Sequence, residues 1–232
     1  MFLADLHVHT TVSSPCSLMD PETLILRAME AGLDAVCVTE HEEIAGAEVT
    51  RSLGEKYGFT VFRGIEIYTE FGDMLVFGLY RDAPSWKTPF ADLAEMCVDA
   101  GALIVPAHPC RVTGELERIH GEQGVAGMLA HVAAIETHNG GCTPEGNAAA
   151  LSLARGGGLP GIGGSDAHNV FQVGRCLTVF EDAMATEEDL VAALRAGRCS
   201  GAYAGEVPRI AERGPGSFLA GFEHLRPAPG CD

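Results

Sequence analysis

The stretch Asp5-Leu6-His7-Val8-His9-Thr10 lies near the start of this 232-residue chain and decides how the rest is interpreted. In an extended strand, side chains alternate between two faces, so Asp5, His7 and His9 are expected to lie on one face. Two imidazoles on one face can bind the same cation, and a carboxylate beside them can orient or ligate. A half-buried strand that carries histidines has the same pattern, so the choice depends on the remaining sequence.

The composition is that of a globular protein with a strongly acidic surface. Hydrophobic residues make up 47% of the chain, and a single α/β barrel commonly needs about 200–250 residues. The chain has 32 acidic and 15 basic residues, for a net charge of −17. Because such a surface repels a polyanion, tight binding to duplex DNA is disfavoured, whereas a local field can still attract a small anionic substrate.

Neither a membrane segment nor a secretory leader is predicted. No apolar run reaches the roughly 18 residues that a membrane helix needs, and the start of the chain lacks a basic region followed by an apolar one. None of the eight cysteines forms a Cys-x-x-Cys pair, which favours reduced thiols over a disulfide or zinc framework. We therefore expect a cytoplasmic protein without membrane contact.

Short apolar strands alternate with amphipathic helices along the chain. The pattern predicts strands over 2–7, 35–39, 61–67, 74–79, 102–107, 133–137, 161–164 and 177–180. It predicts helices over 21–31, 45–57, 90–100, 124–131, 144–155 and 187–196. This alternation favours a mainly parallel sheet with helices outside, closed or nearly closed into an α/β barrel. The strands over 61–67 and 74–79 are close enough to form a local hairpin.

The chain is predicted to form one barrel domain over 1–196, followed by an extension over 197–232. The extension is rich in glycine and proline, with Gly214-Pro-Gly216 and Pro227-Ala-Pro-Gly230. We expect it to pack on the barrel surface or to trail from it.

Potential metal ligands follow the predicted strands, at the carboxyl ends where functional groups of parallel α/β proteins gather. Six of the nine histidines lie there, more than chance explains. The strand-end residues are Asp5, His7, His9, Glu40, His41, Glu66, Asp73, His108, Glu136, His138, Asn139, Asp166 and His168. The other three histidines, His120, His131 and His224, are predicted to be structural or surface residues.

Five motifs within this set resemble those of the PHP family, named for polymerase and histidinol phosphatase. They are Asp5-Leu-His-Val-His9, Thr39-Glu-His41, Gly64-Ile-Glu66, Ala107-His-Pro109 and Gly164-Ser-Asp-Ala-His168, and they occur in the family's order over about residues 1–180. The resemblance implies a distorted, TIM-like (β/α)7 barrel in a single domain. It also implies a multinuclear metal centre.

Residue by residue, the resemblance implies that one metal is held by His7, His9, Glu66 and Asp166. Glu66 would bridge to a second metal that also uses His108, while His41 and His168 would hold a third. The centre would thus bind two to three divalent ions, and mixed imidazole and carboxylate ligands suit Mn²⁺, Fe²⁺ or Zn²⁺.

Two positions depart from the family pattern. Many relatives have a histidine where this chain has Asp73, which can act as a ligand of the second metal or as a turn residue. Many relatives also have an acidic or histidine ligand where this chain reads Ser13-Ser14-Pro15-Cys16. The third site can therefore be weak, completed by water or empty, and Cys16 is either a substitute ligand or a packed cysteine.

Such a centre implies a phosphoesterase that hydrolyses a small phosphomonoester or a nucleotide by a metal-bridging hydroxide. His168 and His138 are candidates for proton transfer to the leaving oxygen, and for His138 a hydrogen-bonding role behind the ligands is equally open. Arg111 is the best-placed cation for the phosphate, because a guanidinium offers it a planar fork. Arg175 comes second, and either arginine can instead pair with a carboxylate.

Two other classes of function compete with this interpretation. Amidohydrolase barrels also place His-x-His after their first strand, and dinuclear members often bridge their metals with a carboxylated lysine. Here Lys56 falls in a predicted helix and Lys87 in a loop, which favours phosphoester hydrolysis. The second alternative is a metal-stabilised scaffold without catalytic activity.

Overall fold

Strands and helices alternate throughout the computed structural model, which describes residues 1–213. In this part of the chain the strands are β1 (Phe2–Val8), β2 (Ala35–His41), β3 (Thr60–Thr69), β4 (Gly72–Phe77), β5 (Leu103–Pro106), β6 (Ile135–Asn139), β7 (Gly161–Gly164), β8 (Cys176–Phe180) and β9 (Cys199–Tyr203). The helices are α1 (Pro21–Ala31), α2 (Ala45–Tyr57), α3 (Phe90–Ala100), α4 (Glu115–Leu129), α5 (Pro144–Gly157), α6 (Glu187–Arg195) and α7 (Pro208–Ala211).

Seven of these strands form a curled sheet in the order β5-β4-β3-β2-β1-β8-β9, and β6 pairs with β7 across its open side. The pair is tied to β1 by the backbone bond from Asp166 N to His7 O, 2.8 Å long. It is tied to β5 by the bond from Ala133 N to Ile104 O, 2.9 Å long. The distorted, TIM-like α/β barrel predicted from the sequence is confirmed.

The expectation of a mainly parallel sheet is wrong. The pairs β1–β2, β2–β3 and β6–β7 are parallel, whereas β3–β4, β4–β5, β1–β8 and β8–β9 are antiparallel. The predicted hairpin is present as β3–β4, with Tyr68 opposite Asp73. Because this hairpin reverses the chain between neighbouring strands, β4 runs against both β3 and β5.

Apolar side chains fill the barrel and the layer between the sheet and the helices. Inside the barrel lies a buried cluster that includes Leu6, Phe62, Leu75, Phe77 and Phe180. Outside, the apolar face of α1, with Leu24 and Ile25, packs on Leu3 and Val36 of the sheet. Burial on both sides explains why β1 is buried along its whole length.

The bounds of α1, α2 and α3 agree with the prediction, but α4 does not. The sequence pattern predicted a helix over 124–131, whereas α4 begins at Glu115 and is interrupted at Gly121, whose φ of 66° and ψ of 167° are not helical. Glycine adopts this conformation without a Cβ penalty. The first half of the helix was missed because it exposes apolar residues such as Ile119, which obscures the amphipathic pattern.

After residue 196 the structure contains a strand that the sequence did not predict. β9 pairs in antiparallel register with β8, from Cys199 opposite Phe180 to Tyr203 opposite Cys176. The boundary between the barrel and its extension stays a prediction, and residues 214–232 of that extension lie outside the described residues. Within residues 1–213, none of the helices has the length and apolar character that crossing a membrane requires. The cytoplasmic location stays a prediction.

Candidate metal centre

Seven potential ligands converge at one end of the barrel, from the ends of β1, β2, β3, β5 and β7. They are His7, His9, His41, Glu66, His108, Asp166 and His168. Two of them have a positive φ that non-glycine residues rarely adopt, 32° at His108 and 54° at Asp166. Such strained backbone is held in place by surrounding structure and is concentrated at functional sites.

Close approach of β1 and β7 brings the first and last motifs together. A Cβ atom at Gly164 would lie 2.3 Å from His7 Cβ and 2.8 Å from His7 N, so only glycine fits there. A backbone hydrogen bond from His9 N to Ala167 O, 3.0 Å long, holds the two segments together. The glycine of the last motif therefore serves to place Asp166 and His168 beside the first two histidines.

Glu66 lies at the centre of the cluster. Its Oε1 is 3.3 Å from both His7 Nε2 and His108 Nε2, while its Oε2 is 3.4 Å from His9 Nε2 and 3.0 Å from His41 Nδ1. The two Nε2 atoms of His7 and His9 are 3.1 Å apart. One carboxylate thus faces four imidazoles.

The cluster fits divalent metal ions. Both Glu66 oxygens are buried and accept no hydrogen bond of normal geometry from residues 1–213, a costly arrangement unless a cation is bound. Three groups each bring three ligand atoms within 4.8 Å of one another: His7, His9 and Asp166; His7, Glu66 and His108; and His9, His41 and His168. Mixed imidazole and carboxylate donors of this kind suit transition-metal dications.

Charges within the cluster shift the pKa values of its members. Burial raises the pKa of Glu66, but positive charge at His7 and the close approach of the His108, His41 and His7 imidazoles outweigh it and hold that pKa well below its usual range. Burial lowers the pKa of His9 to about 4, despite the opposing effects of Asp166 and Glu66. His9 is therefore neutral at pH 7, the form in which an imidazole binds a metal.

Glu136 orients His7 from β6. Its Oε1 is 3.0 Å from His7 Nδ1, and its Oε2 accepts from His108 N at 2.7 Å. Because a carboxylate only accepts, Nδ1 carries the proton and Nε2 is left to face the cluster. The sequence predicted Glu136 at a strand end but assigned it no role. Its position at that strand end, beside other potential ligands, was the signal that could have identified it.

Ser14 lies behind His9, in the segment where many relatives have an acidic or histidine ligand. Its Oγ is 3.2 Å from His9 Nδ1 and also contacts Glu40 Oε2, which is buried. Glu40 is held by Thr10 N at 3.1 Å. The hydroxyl therefore links His9 to a buried carboxylate, an arrangement that fixes the orientation of the imidazole.

Arg111 reaches the cluster through Asp166. Its Nη2 pairs with Asp166 Oδ2, and its side chain is 47% exposed. Burial raises the pKa of Asp166, but positive charge at His7 and a hydrogen bond from His9 bring it below its ordinary value. The guanidinium is thus held at the edge of the cluster with a part still open to solvent.

Two predicted site residues, Asp73 and His138, lie outside the three ligand groups. Asp73 Oδ2 lies 3.9 Å from His108 Nε2, at the margin of the cluster. His138 is turned away, because its Nδ1 is 2.9 Å from Thr137 Oγ1 and its ring lies 4.9 Å from that of Tyr203. Its part in proton transfer stays a prediction that this geometry does not support.

Comparisons with known proteins agree with the motifs. The sequence model of the PHP domain matches residues 5–131, more than half of the chain, and the model of a PHP-associated region matches residues 144–199. An uncharacterized protein of Methanocaldococcus jannaschii is 30% identical over 125 residues, which cover 48% of this chain and 72% of that protein.

Two solved structures share the fold. PsfC from Pseudomonas syringae has a TM-score of 0.63 and 22% identity, over 97% of this chain and 99% of that one. A protein of Bifidobacterium adolescentis assigned as a metal-dependent phosphoesterase has a TM-score of 0.59 and 17% identity, over 72% of this chain and 87% of that one.

Proposed function

Because the chain belongs to the PHP domain family, we propose that it is a metal-dependent phosphoesterase acting on a small phosphomonoester or a nucleotide. The observation that carries the proposal is the Glu66 carboxylate. It is buried, accepts no hydrogen bond of normal geometry from residues 1–213, and faces four imidazoles at 3.0–3.4 Å. A carboxylate in that position is suited to be shared between two cations.

In this proposal the seven clustered side chains and Asp73 hold two to three divalent ions, of manganese, iron or zinc. His7, His9, Glu66 and Asp166 hold one ion, and Glu66, His108 and Asp73 hold a second. His41 and His168, beside His9, hold the third. When bound, such ions supply a water molecule with a lowered pKa and neutralise charge on phosphoryl oxygens.

The protein itself positions the phosphate through Arg111. Its guanidinium is anchored on Asp166 and half exposed, so it can present its remaining N–H groups to an incoming phosphate.

His168 has two proposed roles that exclude each other. Its Nδ1 is 2.9 Å from Asp166 O, and because a carbonyl only accepts, Nδ1 carries the proton and Nε2 is available. If Nε2 binds the third ion it cannot exchange a proton, whereas without that ion it can take one up, and the resulting imidazolium can donate it to the leaving oxygen.

The contacts favour this chemistry over that of the lysine-bridged amidohydrolases. Glu66 takes the central position among the imidazoles, while Lys56 lies in the last turn of α2. Lys87 lies 5.3 Å from the Tyr68 ring, outside the three ligand groups. A small phosphorylated substrate is also compatible with the net charge of −17, which disfavours stable binding to duplex DNA.

The proposal is tested by assaying Mn²⁺-loaded protein on a panel of phosphomonoesters and nucleotides. Glu66→Gln and His108→Ala should each lower kcat by at least about a hundredfold, because each removes a group that holds metal. Glu145→Gln, an exposed substitution in the first turn of α5, is the matched control. Wild-type turnover by both cluster variants after metal removal and repletion contradicts the proposal. Tight metal binding without hydrolysis of any ester supports the scaffold alternative.

A further inference from the structure

A cavity of about 330 Å³ opens directly from the metal cluster. At its inner end lie His108, Asp73 and Arg111, which the proposed function assigns to the second ion and the phosphate. Its volume is at the lower end of the range of about 300–1,000 Å³ for small-molecule sites. The cavity is therefore placed and sized for the part of a small substrate that extends beyond the phosphate.

Two segments that carry no metal ligand build its outer walls. One is the tip of the β3–β4 hairpin, with Tyr68 and Phe71, and the other is the first half of α4 with the loop before it, including Val112, Ile119 and His120. The break at Gly121 separates this half of α4 from the half that packs on the barrel. The Phe71 and His120 rings meet across the walls, with centroids 4.1 Å apart.

Exposed apolar side chains stand among the polar groups of these outer walls. Val112 is 59% exposed and Ile119 is 56% exposed. Next to the cavity, the exposed Trp86 stacks on Tyr68 with ring centroids 6.2 Å apart. Exposed apolar and aromatic side chains on both walls of a cavity next to a candidate active site indicate a surface that binds an apolar group.

The charged groups of the cavity disfavour an anionic occupant. Glu70 and Glu115 line its outer part. Glu70 accepts from Phe90 N, and Glu115 pairs with Arg118. Arg111 is the single arginine or lysine among the described lining residues, and it is held by Asp166. Within the lining, a second phosphate or a carboxylate would therefore meet Glu70 and Glu115, while the one lining guanidinium is already paired with Asp166.

From the exposed apolar side chains and the carboxylates of the cavity, we propose that it binds the leaving-group side of the substrate. We propose that this group is uncharged and aromatic or otherwise apolar. The proposal rests on the proposed function and adds the substrate class: a monoester with a single phosphate on an apolar alcohol. Val112 and Ile119 are the specificity-determining residues, because they supply the exposed apolar surface.

The test measures binding of phosphonates, which cannot be hydrolysed, to the Mn²⁺-loaded full-length protein by calorimetry. Benzylphosphonate should bind at least about tenfold more tightly than methylphosphonate, since the ring removes apolar surface from water. 4-(Phosphonomethyl)benzoate should bind several-fold more weakly than benzylphosphonate, because its distal carboxylate approaches Glu70 and Glu115.

Val112→Asp and Ile119→Asp should each reduce the preference for benzylphosphonate to about threefold or less, by removing apolar surface and adding negative charge. Both side chains are largely exposed, so the fold should persist. Val49→Asp is the matched control, because Val49 is 49% exposed and lies on α2, outside this cavity. It should keep the wild-type preference.

Equal affinity for the benzyl and methyl compounds, binding of neither, or an unchanged preference in both cavity variants overturns the proposal. Failure of the proposed function is a different result. In that case phosphoesters are not hydrolysed, whatever the phosphonate preference. Conversely, ready hydrolysis of phosphomonoesters without this preference leaves the phosphoesterase function in place and removes only the substrate class.

Discussion

His7 Nδ1 lies 3.0 Å from Glu136 Oε1, a contact between side chains 129 residues apart in the sequence. The same carboxylate accepts from His108 N at 2.7 Å. One residue of β6 therefore fixes the ring of His7 at the end of β1 and the backbone of His108 after β5. The contact between β6 and β1 that helps to close the barrel therefore also orients two proposed metal ligands.

Replacing Glu136 should weaken metal binding without removing a ligand. Glu136→Gln keeps the size of the side chain but loses the charge that orients and polarises His7, so affinity for Mn²⁺ should fall by about 10–100-fold. Competition with a chelator measures the change, and Glu145→Gln serves as the control. An unchanged affinity contradicts the orienting role of Glu136.

Ser14→Ala should weaken metal binding at the group formed by His9, His41 and His168. The substitution removes the hydroxyl that links His9 Nδ1 to Glu40, so the His9 ring loses its support. We expect about a tenfold loss in affinity for the most weakly bound ion, measured by Mn²⁺ titration. Ser13→Ala is matched, because the Ser13 hydroxyl has no hydrogen-bond partner in the part of the chain that the structure describes. Identical titrations for the two variants would show that Ser14 does not support this group.

Arg111→Lys should raise KM for a phosphomonoester by about tenfold while bound metal stays constant, because an ammonium retains the charge but lacks the planar fork. Steady-state kinetics and metal analysis of the same sample test both parts. A lower metal content at unchanged KM would instead assign Arg111 to the support of Asp166.

Asp20→Ala should destabilise the protein by about 1 kcal/mol at pH 7 through loss of the α1 cap. Asp20 Oδ1 accepts from Glu22 N and Thr23 N, each at 3.1 Å. Partial burial raises the pKa of Asp20, but these hydrogen bonds and that from the Thr23 hydroxyl outweigh it and place the pKa below its ordinary value. A lowered pKa contributes stability above the unfolded value of 3.8, and this contribution is lost as the pH falls through the folded value.

Urea unfolding between pH 7 and about pH 2 tests this dependence. The difference between wild type and Asp20→Ala should begin to shrink below about pH 5. Asp20→Asn is the control, because its amide oxygen still caps the helix but does not ionise in this range. If the stability difference between wild type and Asp20→Ala stays constant down to pH 4 and below, the charge of Asp20 adds nothing to the cap.

Local signals explain which parts of the fold the sequence predicted. The ends of α1 were predicted because Asp20 and Pro21 begin the helix and Gly32 ends it. In the structure, Gly58 and Gly101 end α2 and α3 in the same way, with a positive φ. β9 has no such signal, since Cys199–Tyr203 contains small, partly buried residues without an apolar run. Its formation depends on pairing with β8, which is tertiary information.

Strand alternation predicted the ligand cluster but failed where strands change register. Between Asp5 and Val8, β1 has one residue more than its partner β2, so Asp5 does not join His7 and His9. Its carboxylate accepts from Ser165 N and Gly174 N instead. A similar shift between Glu136 and His138 turns the latter toward Tyr203. Such bulges cannot be located from apolar periodicity.

The number of metal ions per chain tests the central claim most directly. Protein saturated with Mn²⁺ and freed of excess metal should contain two to three ions per chain by elemental analysis. Glu66→Ala should contain at least one ion fewer, because Glu66 faces the imidazoles of two proposed sites. Fewer than two ions in the wild-type protein, or an unchanged number in Glu66→Ala, would contradict the multinuclear centre.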